Sequence, residues 1–202
     1  MIRVEFKNIL LASTVLLYIW SAINPHSYFV WFLETFPAFI GAIIIFFTRK
    51  TFPLSNFLFC IILFHMMILA VGGHYTYAQV PFFNDLHIMG SSRNDYDKVG
   101  HFFQGLTPAL LFREIIIKRT ELKNKFLVVI FCISCPLAFS ALYEIFEMII
   151  AVSTGEGADF ISMQGDVWDT QKDMFTALIG AIFALVFLTK IQSRSINKIK
   201  HD

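Results

Sequence analysis

The stretch VGHFFQGLTPALLFREIII, residues 99–117, decides how this chain is organised. It is apolar enough to enter a bilayer, yet His101, Gln104 and Pro108 interrupt it. Five other segments read as membrane helices more directly, at residues 8–23, 29–47, 54–71, 126–152 and 174–191. A hydrocarbon core of ~30 Å takes about 20 apolar residues per helix, and each of these comes close. Charge settles whether residues 99–117 make a sixth. With six spans and the N-terminus inside, 13 Lys and Arg residues lie on the cytoplasmic side, from Arg3 and Lys7 through Arg113–Lys125 to Lys200. Only Arg93, Lys98 and Lys172 lie outside, which accounts for all 16 basic residues. Such an asymmetry is the positive-inside pattern. Omitting the segment would carry Lys198 and Lys200 outward. The sequence therefore predicts an all-α, polytopic membrane bundle of six transmembrane helices, one domain over residues 1–202, with cytoplasmic N- and C-termini.

Composition agrees. Hydrophobic residues make up 56% of the chain and charged residues 15%, against about 45–50% and 25% in soluble domains. A net charge of +1 gives no case for nucleic acid as a partner; membrane lipid is the expected surrounding. Cys60, Cys132 and Cys135 all sit in apolar runs, so the Cys132-x-x-Cys135 spacing reads as packing rather than redox or metal chemistry. Arg3 and Lys7 precede an apolar run as in a signal peptide, but no small-residue cleavage site follows Ile23, which favours a retained first helix. Ala177, Gly180, Ala181 and Ala184 put small residues four apart on the last helix, a spacing that allows close packing and is also ordinary membrane composition.

The outer ends of the later helices carry polar residues at helical spacing. Asp97, His101 and Gln104 stand at i, i+4 and i+7; Glu144 and Glu147 at i, i+3; Asp166, Asp169 and Asp173 form a third stripe. Residues three or four apart share a helix face. A charge at mid-bilayer costs ~2.5–3.5 kcal/mol on insertion scales, so such groups turn inward and find partners. Two routes satisfy them. One is a divalent metal (Zn, Mn, Mg or Fe) held by Asp97, His101, Glu144, Glu147 and one or both of Asp169 and Asp173, with His74 as a second histidine; bundles build carboxylate sites in this way. The other is a buried hydrogen-bonded network that only orients the helices. Asp166 and Asp169 also read as caps of the last helix. His65 lies nine residues before His74, about 13 Å along a helix, and reads as a core residue. Glu34 has no motif around it.

At these motifs the chain resembles the YjdF-like family of bacterial inner-membrane proteins, a domain of unknown function. The matching stretches are GGHYTYAQVP (72–81), RNDYDKVGHFFQG (93–105), YEIFE (143–147) and QGDVWDTQKDM (164–174). The element Asp97-Lys98-x-x-His101-Phe102 is also similar to that of VanZ-like proteins, linked to glycopeptide resistance. The resemblance implies a multi-pass helical bundle in the plasma (inner) membrane and no particular reaction. Other intramembrane chemistries fit poorly. The Ser-Gly-His element of lipid phosphatases, a three-histidine zinc set and a Gly-x-Ser-x-Gly elbow are all missing. Three functions stay open. The first is a metal-dependent hydrolase or transferase on a lipid or cell-envelope substrate, with Glu144, Glu147 and His101 as the catalytic groups. The second is a non-catalytic membrane protein with a structural polar network, and the third a small transporter.

Overall fold

The computed structural model describes residues 4–83, 94–154 and 166–199, and among these every regular element is a helix. They are α1 (Val4–Ser21), α2 (Tyr28–Thr48), α3 (Asn56–Tyr75), α4 (Tyr96–Arg119), α5 (Lys125–Thr154) and α6 (Asp169–Ile199). Within α6 the turn Ala184–Leu188 is π-helical. Ser27 and Ser55 start α2 and α3 by accepting the N–H of Val30 and Leu58, each at 3.3 Å.

The bundle is apolar outside. Large hydrophobic side chains lie exposed on most of the helices, with Phe47 75% and Leu16 66% exposed. Lipid is the solvent that suits such a surface. Four helices, α2, α3, α5 and α6, are long and apolar enough to cross a membrane; α1 is a shorter apolar helix. The α4 helix has the length, 24 residues, but is more polar. Packing explains how it is tolerated. It lies against α3, α5 and α6, and these neighbours cover Asp97, Lys98, Thr107 and Glu114.

The tightest seam joins α4 to α6. A methyl group added at Gly105 would stand 1.8 Å from the Ala177 carbonyl oxygen, and one at Gly180 would stand 2.0 Å from that of Phe102. The two backbones therefore touch, each through a glycine of its own. Leu58 of α3, Leu106, Ala109 and Leu110 of α4, and Ala181 and Ala184 of α6 complete the core beneath this crossing.

At the far end of α4 a second polar knot closes the bundle. Glu114, fully buried, accepts from the Ser55 N–H (2.7 Å), the Ser55 hydroxyl (2.6 Å) and Lys118 Nζ (2.7 Å). Gln192 of α6 donates to the Leu110 carbonyl at 2.7 Å and receives Arg113 at 2.8 Å. This knot extends α6 beyond the expected end at residue 191, because Gln192 and Ile196 are buried there (0% and 1% exposed). Both α4 and α6 also begin earlier than hydropathy indicates. Their first turns contain Asp97 and Asp169, which face into the bundle. Residues 84–93, between α3 and α4, and 155–165, between α5 and α6, lie outside the described residues.

Candidate functional site

The site occupies the end of the bundle at which α4 and α6 begin. Its centre is Lys98. Nζ donates to Asp169 Oδ1 and Asp173 Oδ1, each at 2.6 Å, and to Asp97 Oδ2 at 3.2 Å. The lysine is 3% exposed and the three aspartates 3–5%. The i, i+4 spacing on α6 puts Asp169 and Asp173 on the face that meets α4.

One turn further into α4, His101 points at the same aspartate from the other side. Its Nδ1 hydrogen-bonds Gln104 Oε1 at 2.9 Å. In the neutral ring that donates Nδ1–H to this oxygen, Nε2 turns its lone pair inward; in the protonated ring Nε2 is an N–H facing the two carboxylates. That Nε2 is 3.6 Å from Asp173 Oδ1 and 3.8 Å from Glu144 Oε1. Both separations exceed a direct hydrogen bond. Two ligands each about 2.1 Å from one ion stand roughly 3–4 Å apart. Glu144 is 8% exposed and has Thr170 as a side-chain partner, but its buried Oε1 has no hydrogen-bond partner among the described residues. An orphaned carboxylate oxygen facing an imidazole lone pair fits a bound cation. Among the described residues, two sets bring their ligand atoms within 4.8 Å of one another, His101–Glu144–Asp173 and Asp97–Asp169–Asp173. The second already holds the Lys98 ammonium, and Asp173 Oδ1, which the first set shares, accepts from the same lysine.

A cavity of ≈ 100 Å³ opens beside these groups. Its wall includes Glu34 and Pro37 of α2, His65 of α3, Asp97 and His101 of α4, and Tyr143 and Glu147 of α5. The Tyr143 hydroxyl donates to Glu34 Oε2 at 3.0 Å. Tyr77 reaches the cavity by an unusual path. Thr76 and Tyr77 are both left-handed (φ 55° and 56°), which folds the Tyr77 ring back onto α3 and α4. A methyl at Gly72 would lie 2.3 Å from that ring, and one at Gly100 3.0 Å. The glycines make room for the tyrosine.

Of the seven expected metal-site residues, five (Asp97, His101, Glu144, Asp169 and Asp173) fall in the two converging sets, and Glu147 lines the cavity outside both. The seventh, His74, is placed elsewhere. Its Nδ1 contacts the Ser21 carbonyl at 3.0 Å and its ring stacks on Trp20 of α1 at 4.3 Å. A histidine in the last turn of α3 meets the neighbouring α1 rather than α4. His65 has the core place expected of it, its ring 6.0 Å from that of Phe103, and it also borders the cavity. The cavity reaches deeper than the outer turn, so His65 lines it while His74 does not. Glu34 joins as well, signalled in sequence only by being an acid in an apolar run. Neither Asp166 nor Asp169 caps α6: the N-cap position is Trp168 with no side-chain cap bond, Asp169 faces into the bundle, and Asp166 accepts the Trp168 N–H at 3.0 Å and Lys172 Nζ at 2.5 Å.

Comparison with known proteins agrees with this membrane architecture. Residues 6–194 match the model of a family described as "Predicted membrane protein (DUF2238)". The chain belongs to this family. It is also 41% identical to the inner membrane protein YjdF of Escherichia coli (strain K12) over 188 residues, covering 92% of this chain and 90% of the relative. The stretches that carry the site, residues 72–81, 93–105, 143–147 and 164–174, all lie inside the matched region. No solved structure matches the chain. The protein is thus an integral, multi-pass membrane protein of an inner-membrane family whose reaction its family description leaves open.

Proposed function

We propose that the chain crosses the membrane six times with both termini in the cytoplasm, and that its polar cavity lies towards the extracytoplasmic face. There His101 Nε2, Glu144 and Asp173 hold a divalent cation, Zn, Mn, Mg or Fe, and the protein acts as a metal-assisted hydrolase or transferase on a lipid or cell-envelope substrate. The observation that carries this reading is the unpartnered Glu144 Oε1 set against the inward-facing Nε2 of His101. A cation bound there would polarise a substrate oxygen or lower the pKa of a water. The chain's own residues supply the rest. Gln104 holds the imidazole tautomer, Lys98 orients Asp173, and Glu147 is placed beside the cavity to take a proton. The wall of α2, α3 and α5 limits the entry of water.

A structural reading has one observation in its favour. Lys98 neutralises part of the acid cluster without any ion. It leaves Glu144 unexplained, which is why the metal reading ranks first. The two separate in an assay. Protein in vesicles of bacterial polar lipid is supplied with Mn²⁺ or Zn²⁺, or treated with chelator, and lipid products are followed by mass spectrometry. The metal reading expects a product that needs both the ion and Glu144. A product unaffected by chelation and by Glu144→Gln, or no product under any condition, favours the structural network.

A further inference from the structure

The side of the cavity lined by α2 and α5 has a chemistry of its own. Glu147 is 8% exposed, lines the cavity, and makes no hydrogen bond or ion pair with any described residue. Glu34, 7% exposed, faces the same space with the Tyr143 hydroxyl as its partner. Neither glutamate belongs to a set whose ligand atoms converge closely enough to share an ion. The other walls here are the rings of Tyr77 and Tyr143 and the apolar side chains of Pro37 and Leu69. Two carboxylates among aromatic faces, with no third ligand converging on them among the described residues, suit an organic cation better than a bare metal ion, because the rings attract a positive charge and the apolar walls accept its methylenes. Charge balance points the same way. Six helix-borne carboxylates, Glu34, Asp97, Glu144, Glu147, Asp169 and Asp173, stand against Lys98 and the histidines, and Lys98 is already committed to the aspartates.

The helices that carry the two glutamates are only loosely joined. Helices α2 and α5 are not among the closely packed pairs of the bundle. Side chains span their seam, with Tyr143 reaching Glu34 and Ile150 packing on Val30 and Leu33. A seam closed by one hydrogen bond and a few apolar contacts can part without breaking a helix.

We infer that this side of the cavity binds a primary ammonium group, held by Glu147 and Glu34 between Tyr77 and Tyr143, and that the α2–α5 seam admits it from the bilayer as the head group of an aminated lipid. The inference names a substrate class for the function proposed above. Its test needs no metal, so the two stand or fall separately.

The test uses detergent-purified full-length protein treated with chelator. Retention of phosphatidylethanolamine, phosphatidylglycerol and diacylglycerol is compared by native mass spectrometry, with and without free ethanolamine. Phosphatidylethanolamine should be retained about tenfold over the other two, the scale of one charge-assisted hydrogen bond, and Glu147→Gln should remove the preference. Glu34→Gln and Glu147→Asp repeat the comparison should Glu147→Gln fail to fold. Competition by ethanolamine would show that the ammonium group alone is recognised. Retention without competition would show that the acyl chains contribute and that the source is the lipid. Ethanolamine binding without lipid preference would keep the ammonium site and overturn the lipid source. Equal retention of all three lipids with no ethanolamine effect would overturn the inference, as would a preference that survives in every variant.

Discussion

Lys98 Nζ lies 2.6 Å from Asp169 Oδ1, an ion pair that joins the first turns of α4 and α6 across 71 residues of sequence. Removing the cation leaves three carboxylates crowded in a site screened from water. Breaking a buried pair from one side typically costs ~3–5 kcal/mol. Lys98→Met should therefore lower the thermal unfolding midpoint in detergent far more than Asp169→Asn, which leaves Lys98 two acids. A Lys98→Met protein as stable as wild type would mean that the aspartates carry their own protons and do not need the lysine.

The crossing of α4 and α6 gives a second expectation. Gly105→Ala drives a methyl into the Ala177 carbonyl, and the backbones must separate; overpacking of this kind costs roughly 1–3 kcal/mol. Gly41 is the matched control, since nothing lies within 4 Å of a methyl added there. Gly41→Ala should be neutral or slightly stabilising, because alanine is the better helix former. Differential scanning fluorimetry of the two variants checks the contrast.

Glu114 predicts a separation of stability from function. It accepts the Ser55 N–H and hydroxyl and Lys118 at once. Glu114→Ala strands those donors, at about 1–3 kcal/mol for each buried group left unsatisfied. The residue lies about 25 Å along α4 from Asp97. Glu114→Ala should lower the melting midpoint while leaving the chemistry of the cavity intact in the fraction that folds. Cation binding measured per folded protein reads this directly.

How much of this was legible in the sequence follows from what periodicity carries. Hydropathy located six helices to within a few residues where their ends are apolar, as for α2. It misjudged the starts of α4 and α6 and the end of α6, where buried Asp97, Asp169 and Gln192 look like solvated residues when read one at a time. Spacing gathered the aspartates, His101 and the α5 glutamates, because each stripe lies on one helix face. Partners chosen between helices were another matter. Nothing local marks Lys98 as the hub of three aspartates, pairs Tyr143 with Glu34 109 residues away, or turns His74 towards Trp20. Glu114 sits in a basic run whose topological role masked its burial.

Topology is a prediction of its own. The excess of basic residues on one side predicts that both termini lie in the cytoplasm. A phosphatase fusion, active only outside, should be inactive after Arg194 and active when inserted between Ser153 and Asp159. The converse pattern would move the cavity to the cytoplasmic side and remove an envelope substrate from consideration.

The central claim is that His101, Glu144 and Asp173 hold one divalent cation, and metal content tests it most directly. Wild-type protein, purified in detergent after exposure to divalent ions at neutral pH, is analysed by inductively coupled plasma mass spectrometry beside Glu144→Gln, His101→Ala, Glu34→Gln and His74→Ala. The account predicts about one ion per chain in wild type, Glu34→Gln and His74→Ala, and a loss of most of it in Glu144→Gln and His101→Ala with the bundle still folded. Wild-type protein that stays metal-free, or Glu144→Gln protein that keeps its ion, would contradict it.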